Sequence, residues 1–486
     1  MPKSPGSEAL QALRRIRPPL AIIADEEGLR PFETDALIAH RETPMLAVIP
    51  EDEEQVRAIV CICRDLGVPV VSRGAGTGIS GGAIPRRDGV LLVLSKMRSV
   101  LALDPLARTA TVEPGVRNLH VSDRAEPHGL FYAPDPSSQS ICSIGGNVAE
   151  NAGGVHCLKY GLTTHNVLAA RAIDADGELL EVGSAALDAP GFDLLALLTG
   201  SEGNLGVITR VTVRLVPLPE RVETLLAAFP SVRQAAEAVG EIIGAGIVPA
   251  ALEMMDRIVI DACERCMSMG FPQGAEALLL AEVDGGSEET HEALESVRAI
   301  LERCGATEIR VAADAAERAK LWKARKGAFT ALAEIVPDYY TIDGTIPRRC
   351  LPEVLDYVAI LAKEYGLMVG NVFHAGDGNI HPCIFYDANK PGDAERSEEL
   401  GGRILERCVE VGGTITGEHG VGIEKLRQMC VQFRAPELAA FHDVKAAFDP
   451  SGILNPGKAV PTLKRCAEWG GMHVHGSLPH PDIPRF

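Results

Sequence analysis

The sequence predicts an α+β protein of two main domains followed by a short helical C-terminal segment. Three observations lead there. At 486 residues the chain exceeds what one hydrophobic core organises. Between residues 46 and 216, short β-branched runs (LAVIP, VPVVSRG, GVLLVL, TATVEPG, VITRVTVRLVP) alternate with glycine loops and helical stretches such as EDEEQVRAIVCICRDLG. The proline-flanked run VPLPE, residues 216–220, then stops both strand and helix, and an amphipathic stretch, SVRQAAEAVGEIIGAG, follows it.

The chain divides into an N-terminal segment (1–40), a first domain (41–219), a second domain (220–460) and a tail (461–486) carrying His473, His475 and His480. The second domain holds further strands (ALLLAEVDG, VGNVFHAGDGNIHPCIFY) and helices, the last of them at ELAAFHDVKAAFD. Another helix-like stretch, MMDRIVIDACERCMSMG, carries the CxxC pair Cys263 and Cys266. Neither internal repeats nor low-complexity runs occur, which excludes solenoid readings.

Composition is globular, with 46% hydrophobic and 23% charged residues. With 47 basic against 66 acidic side chains the net charge is −19, and aromatic residues are only 4%. Such a surface repels phosphate backbones and anionic lipid and offers little for base stacking, so no nucleic-acid partner is expected. The N-terminus lacks a continuous apolar signal region, and no run of about 18 apolar residues occurs. A cytoplasmic protein without direct membrane insertion is the expectation. The twelve cysteines are scattered, and the CxxC has no second pair at metal-site spacing. An iron–sulfur cluster normally takes about four thiolates, so a cluster serving this chain would belong to another subunit.

The segment VPVVSRGAGTGISGGAIP places Gly74, Gly76, Gly78, Gly81 and Gly82 directly after a strand, with Arg73 beside them. Bare backbone can approach a pyrophosphate closely and turn several N–H groups towards it. No helix follows the loop; AIPRRDGVLLVL returns to a strand, which argues against a Rossmann fold and a nicotinamide cofactor. Taken alone, the loop reads equally as a set of tight turns. Two more glycine-rich segments, CSIGGNVAENAGG (142–154) and TGSEGNLGVIT (199–209), exceed what turns require.

In the second domain, HAGDGNIH reads as a hairpin about a two-residue turn, Asp377-Gly378. That register sets His374 directly opposite His381, with Cβ atoms roughly 5 Å apart on one face. The pair suits a shared metal, with a third ligand from Glu418 or His419 in TGEHGVG; the alternative is a buried hairpin whose histidines serve only packing.

The three glycine segments, together with PDPSS (134–138) and KYG (159–161), resemble the PCMH-type FAD-binding domain of the vanillyl-alcohol oxidase superfamily, in which FAD lies between two α+β subdomains. The resemblance assigns Arg73, Gly74, Gly76, Thr77, Gly78, Ser80, Gly81 and Gly82 to the pyrophosphate. It assigns Pro134, Ser137, Ser138, Gly145, Asn147, Asn151, Glu202, Gly203 and Ile208 to the adenosine and ribityl portions. Some members attach FAD through a histidine where this chain has Thr77, so non-covalent FAD is expected.

HAGDGNIHP, GEHGVG and DPSGILNPGK, the last containing Asn455 as a further cofactor-binding position, resemble the C-terminal α+β substrate domain of FAD-linked 2-hydroxy-acid oxidases. That family includes D-lactate and D-2-hydroxyglutarate dehydrogenases, and PDYYTIDGTIPRR (337–349) and LKRCAEWGGMHVHG (463–476) resemble its glycolate oxidase flavoprotein subunits. The resemblance implies a divalent metal, zinc or manganese, on His374, His381 and Glu418. Asn379 stands beside it, His419 acts as base, and Arg325 binds the substrate carboxylate. Where the hydroxyglutarate enzymes carry a lysine this chain reads TID near Thr341, so a short substrate, glycolate or D-lactate, is expected. The resemblance further implies partner subunits, an iron–sulfur subunit among them, peripheral association at the inner face of the cell membrane through that complex, and electron delivery to a quinone. Two other readings stay open: a stand-alone D-2-hydroxy-acid dehydrogenase with a soluble acceptor, and a non-catalytic scaffold.

Overall fold

The computed structural model describes residues 5–186 and 191–462, and the fold is α+β. The histidines of the tail lie outside the described residues. None of the described helices is long and apolar enough to cross a membrane. The chain forms two compact units. One takes the residues up to Gly153, Gly161–Leu218 and those from Glu418 onward; the other takes Gly154–Tyr160 and Pro219–Gly417. The break at Leu218/Pro219 falls in the proline run. The units otherwise cut across the division at 460, because the stretch from Glu418 packs with N-terminal residues.

In the first unit a four-stranded sheet runs in the order Ala21–Ile23, Leu46–Ile49, Val90–Val93, Val70–Arg73. Its last three strands are parallel. The helix Glu53–Leu66 crosses over between two of them, starting at Asp52, whose side chain caps Gln55 N–H, and ending at Gly67 with φ +63°. Val56, Ile59, Val60 and Cys63 recur at helical spacing and are buried against Val48, Val70 and Leu92. A second, antiparallel sheet has five strands in the order Val100–Asp104, Thr109–Val112, Val207–Arg214, Val167–Ile173, Leu179–Gly183. The helix Ala435–Phe448 packs on that sheet's core through Val444 and Phe448.

The second unit is built on a nine-stranded sheet. Its main path runs Glu308–Val311, Arg221–Phe229, Ala277–Gly285, Ala251–Asp256, Met368–His374, Asn379–Ile380, Gly344–Thr345. Alternation along each strand feeds two cores. Leu225, Ala227, Phe229, Leu252 and Met254 face the helices Val232–Gly244, Ser287–Arg303 and Leu351–Tyr365. Leu226, Ala228, Ala251, Met255, Leu278 and Leu280 face Arg257–Met267 and Ala315–Ala333. The stretch expected to be helical from Met254 is a strand to Asp256, where the Asp256 side chain caps Val259 N–H and starts the helix. Both cysteines of the CxxC sit on that helix, with thiols directed at the carbonyls of Ala324 and Ala331. Burial, with Cys266 nearby, pushes the Cys263 thiol up to about 11, which keeps it protonated.

The second face also carries charge. Glu282 is 1% exposed and accepts from Arg318 Nε and Nη2 (2.9 and 3.0 Å), Trp322 Nε1 (2.5 Å) and Thr224 Oγ1 (2.7 Å). Burial would raise its pKa, but His156 and Arg318 overcome that and bring it well below the ordinary 4.5. A depressed carboxylate stabilises the fold above its unfolded pKa and loses that contribution as pH falls through the folded value. Glu282→Gln should therefore cost about 3–5 kcal/mol at pH 7, read from urea unfolding of the second unit. The difference from wild type should shrink steadily below about pH 4.5. A difference independent of pH would contradict the ionised assignment.

Candidate active site

In the first unit the glycine loop follows the strand Val70–Arg73 directly. Arg73 is buried and turns back beneath its own loop, donating from Nη1 to Thr34 O at 2.7 Å. Gly76 has φ +71°, and a Cβ there would fall 2.2 Å from Arg73 Nη2, so glycine is required. The loop's carbonyls are committed to protein. Gly78 O accepts from Ala36, Ser80 O from Ile423 and Glu424, and Gly82 O from Asn455 Nδ2 (3.0 Å) and Lys458 Nζ (2.8 Å). Among the described residues, no backbone N–H from Gly74 through Gly82 donates to a protein acceptor. Carbonyls fastened on one side and a run of unspent donors on the other is the polarity a pyrophosphate requires.

Other residues of the expected cofactor set brace this loop. Glu202, in the left-handed region at φ +52°, accepts Val421 N–H (2.7 Å) and Gly422 N–H (2.6 Å) through its two oxygens. Asn455 Nδ2 also donates to Glu202 O at 2.7 Å. Asn147 is held by Asn118 Nδ2 at 3.0 Å, and Asn151 caps Thr164 N–H at 2.9 Å, so both side chains already serve the protein. Pro134 O accepts from Asn118, Ser138 O accepts from Ile141 and Cys142, and Ser137 lies in the same turn. Gly145 packs on Pro114, Gly203 has φ +72°, and Ile208 is a buried strand residue. Thr77 is half-buried. Sequence reasoning missed Glu150, Lys425 and Lys458. Burial, then Glu202 and Asp35, push Glu150 well above the usual carboxylate range. Burial brings Lys458 down to about 8, opposed by Asp35 and the two glutamates. Glu418 and His419 also belong to this unit, His419 Nε2 lying 3.9 Å from Glu418 Oε1.

In the second unit the hairpin is wider than expected. His374 pairs with Asn379, and Asn371 with Pro382, so residues 375–378 form the connection and His374 does not stand directly opposite His381. Tertiary contacts open the turn. Gly376 N–H donates to Leu252 O at 2.9 Å, Arg348 Nη1 donates to Gly376 O at 3.1 Å, and Asp377 Oδ1 accepts Asn379 N–H at 3.0 Å. The register slips by two positions, an even number, so His374 and His381 keep the same face. Their ring centroids are 5.1 Å apart at 87°, and both are almost fully buried.

Each imidazole is held through Nδ1. His381 Nδ1 lies 3.3 Å from Ile342 O and 4.0 Å from Asp343 Oδ1. His374 Nδ1 lies 2.9 and 3.0 Å from the two oxygens of Glu253. Asp343, fully buried, accepts Gly417 N–H at 2.9 Å and the hydroxyl of Thr416. Asn379 Oδ1 is buried with no hydrogen-bond partner among the described residues. Arg325 is 1% exposed; its Nε donates to Glu253 Oε2 at 2.7 Å and its Nη2 lies 2.7 Å from the same oxygen. Glu253 and Asp343 escaped sequence reasoning. The signal for Glu253 was an acid in the interior of the otherwise apolar run ALEMM.

Comparison with known proteins gives two family matches: residues 44–183 match the profile described as FAD binding domain, and residues 218–459 the one described as FAD linked oxidases, C-terminal domain. The chain is 57% identical over 487 residues to the glycolate oxidase subunit GlcD of Escherichia coli K12, covering 100% of this chain and 98% of that one. It is 38% identical to the Bacillus subtilis protein of that name, covering 88% and 91%. A D-lactate dehydrogenase of Archaeoglobus fulgidus is 34% identical, covering 91% and 97%. Among solved structures, p-cresol methylhydroxylase superposes with a TM-score of 0.79 at 17% identity, covering 96% and 98%. That likeness bears on the fold alone.

Glu202→Ala would leave the N–H groups of Val421 and Gly422 without their acceptor, at about 1–3 kcal/mol each. The expected result is a lower flavin-to-protein ratio after gel filtration and a lower unfolding midpoint. Unchanged values for both would show that the brace is dispensable.

Proposed function

The chain belongs to the family of FAD-linked oxidases, and from that footing we propose that it oxidises a short 2-hydroxy acid, glycolate or D-lactate, to the 2-oxo acid. The observation that carries this reading is the His374–His381 pair, two buried imidazoles on one sheet face with ring nitrogens within 4.8 Å of each other. Imidazoles anchored through Nδ1 suit zinc or manganese, and the unspent N–H groups of Gly74 to Gly82 suit the FAD pyrophosphate. When bound, FAD would supply the acceptor for the C2 hydride and the divalent ion would lower the pKa of the substrate hydroxyl.

The chain's own residues then have separate tasks. His374 and His381 would hold the ion, with Glu418 as third ligand; Glu418 directly follows Gly417, whose N–H is fixed on Asp343. His419, one residue on, would take the hydroxyl proton, a role suited to imidazole near neutral pH. Asn379 would direct its amide oxygen at the bound hydroxyl, and Arg325 would meet the substrate carboxylate. Thr341, on the strand Asp338–Thr341, offers no cation for a distal acid, which favours a short substrate.

Because the relatives at 57% and 38% identity are named as subunits, we infer that the chain works within a complex. Electrons would leave through partner subunits, including one with an iron–sulfur cluster, towards a quinone, with the complex at the inner membrane face.

Anaerobic mixing with glycolate, D-lactate and D-2-hydroxyglutarate tests the activity. The flavin band near about 450 nm should bleach with the first two acids faster than with the third; no bleaching with any of them would refute the proposal. His419→Ala should abolish bleaching while keeping bound FAD, and reduction at the wild-type rate would remove His419 from the reaction. Metal analysis of active protein should find a divalent ion whose chelation slows turnover, and active protein free of metal would refute the ligand assignment.

A further inference from the structure

Glu253 has no place in the chemistry above, yet it is among the most buried charges in the second unit, at 1% exposure. Its position follows from the sheet. On the strand Ala251–Asp256 it pairs directly with His374 on Met368–His374, so both side chains leave the same face as Ala251 and Met255. The helix Ala315–Ala333 covers that face. Arg318, Trp322 and Arg325 follow one another at helical spacing on it, the first two meeting Glu282 and the third meeting Glu253.

We propose that Glu253 is a positioning residue for the metal: its carboxylate fixes the His374 imidazole in orientation and tautomer, and Arg325 holds that carboxylate in place. This rests on the reading that His374 and His381 hold a divalent ion. An ionised carboxylate at 2.9 and 3.0 Å from Nδ1 accepts, which puts a ring proton on Nδ1; the neutral ring that carries its proton there has its lone pair on Nε2, the tautomer a metal needs. An amide in place of the carboxylate could donate to Nδ1 instead, moving the proton to Nε2 and removing the lone pair. The bland alternative is that Glu253 only neutralises a buried arginine.

The test is zinc binding by the metal-stripped flavoprotein, measured by competition with a chromophoric chelator, in wild type, Glu253→Gln, His374→Ala and the double variant Glu253→Gln/Arg325→Met. The double variant removes both buried charges, so it keeps the question answerable where the single variant fails to fold. A positioning role predicts zinc affinity lower by about 10–100-fold in Glu253→Gln, and still lower than wild type in the double variant, with the flavin-to-protein ratio unchanged. Recovery of wild-type zinc affinity together with the unfolding midpoint in the double variant would overturn the proposal, leaving charge neutralisation as Glu253's role. Wild type that binds zinc no better than His374→Ala would overturn the metal reading itself, and the proposal with it.

Discussion

Two carboxylates buried on one face of an antiparallel sheet constrain the second unit more than any other feature. Glu253 and Glu282 stand on neighbouring strands, where burial without partners would force them to neutralise or unfold the sheet. The helix Ala315–Ala333 resolves this by presenting Arg318, Trp322 and Arg325 along one stripe. Burial would raise the Glu253 pKa, but His374 and Arg325 bring it below the ordinary value, so the acid stays ionised where it grips the imidazole. The same ion pairs that fasten helix to sheet therefore also orient a candidate metal ligand.

A related economy operates in the first unit. The chain returns from Glu418 to pack on N-terminal strands, and its carbonyl-seeking side chains, Asn455 and Lys458, fasten the glycine loop from one side. Glu202 in turn fastens the segment at Val421 and Gly422. What remains on the loop is a series of donors without protein acceptors. Of the side chains expected at the cofactor, Asn455 holds that backbone and Glu202 holds the segment at Val421 and Gly422.

Legibility followed the range of the interactions. Strands and helices set by local periodicity, such as Leu46–Ile49, Glu53–Leu66 and Val207–Arg214, could be read directly. The hairpin's facing was legible because it depends only on parity, but its register was not. That register depends on Arg348, Leu252 and Ile346, which local sequence does not display. The start of Arg257–Met267 was missed for a similar reason: pairing with Ala277–Gly285 keeps Met254 to Asp256 in a strand despite an apparently helical pattern. His374, His381 and Asn379 stood out as candidates by type and spacing. Glu253 and Asp343 act through partners more than 70 positions away in sequence (Glu253 with Arg325, |i−j| 72; Asp343 with Thr416, |i−j| 73), so only the folded sheet connects them to the site.

The proposed metal site has the imidazoles of His374 and His381 sharing one divalent ion through Nε2. Anomalous diffraction at the zinc edge from crystals of the zinc-loaded flavoprotein tests it most directly. A single strong peak about 2.0–2.1 Å from both nitrogens is expected, with Nδ1 of His374 still on Glu253. A peak elsewhere, or Nε2 atoms turned away from it, would refute the shared ion.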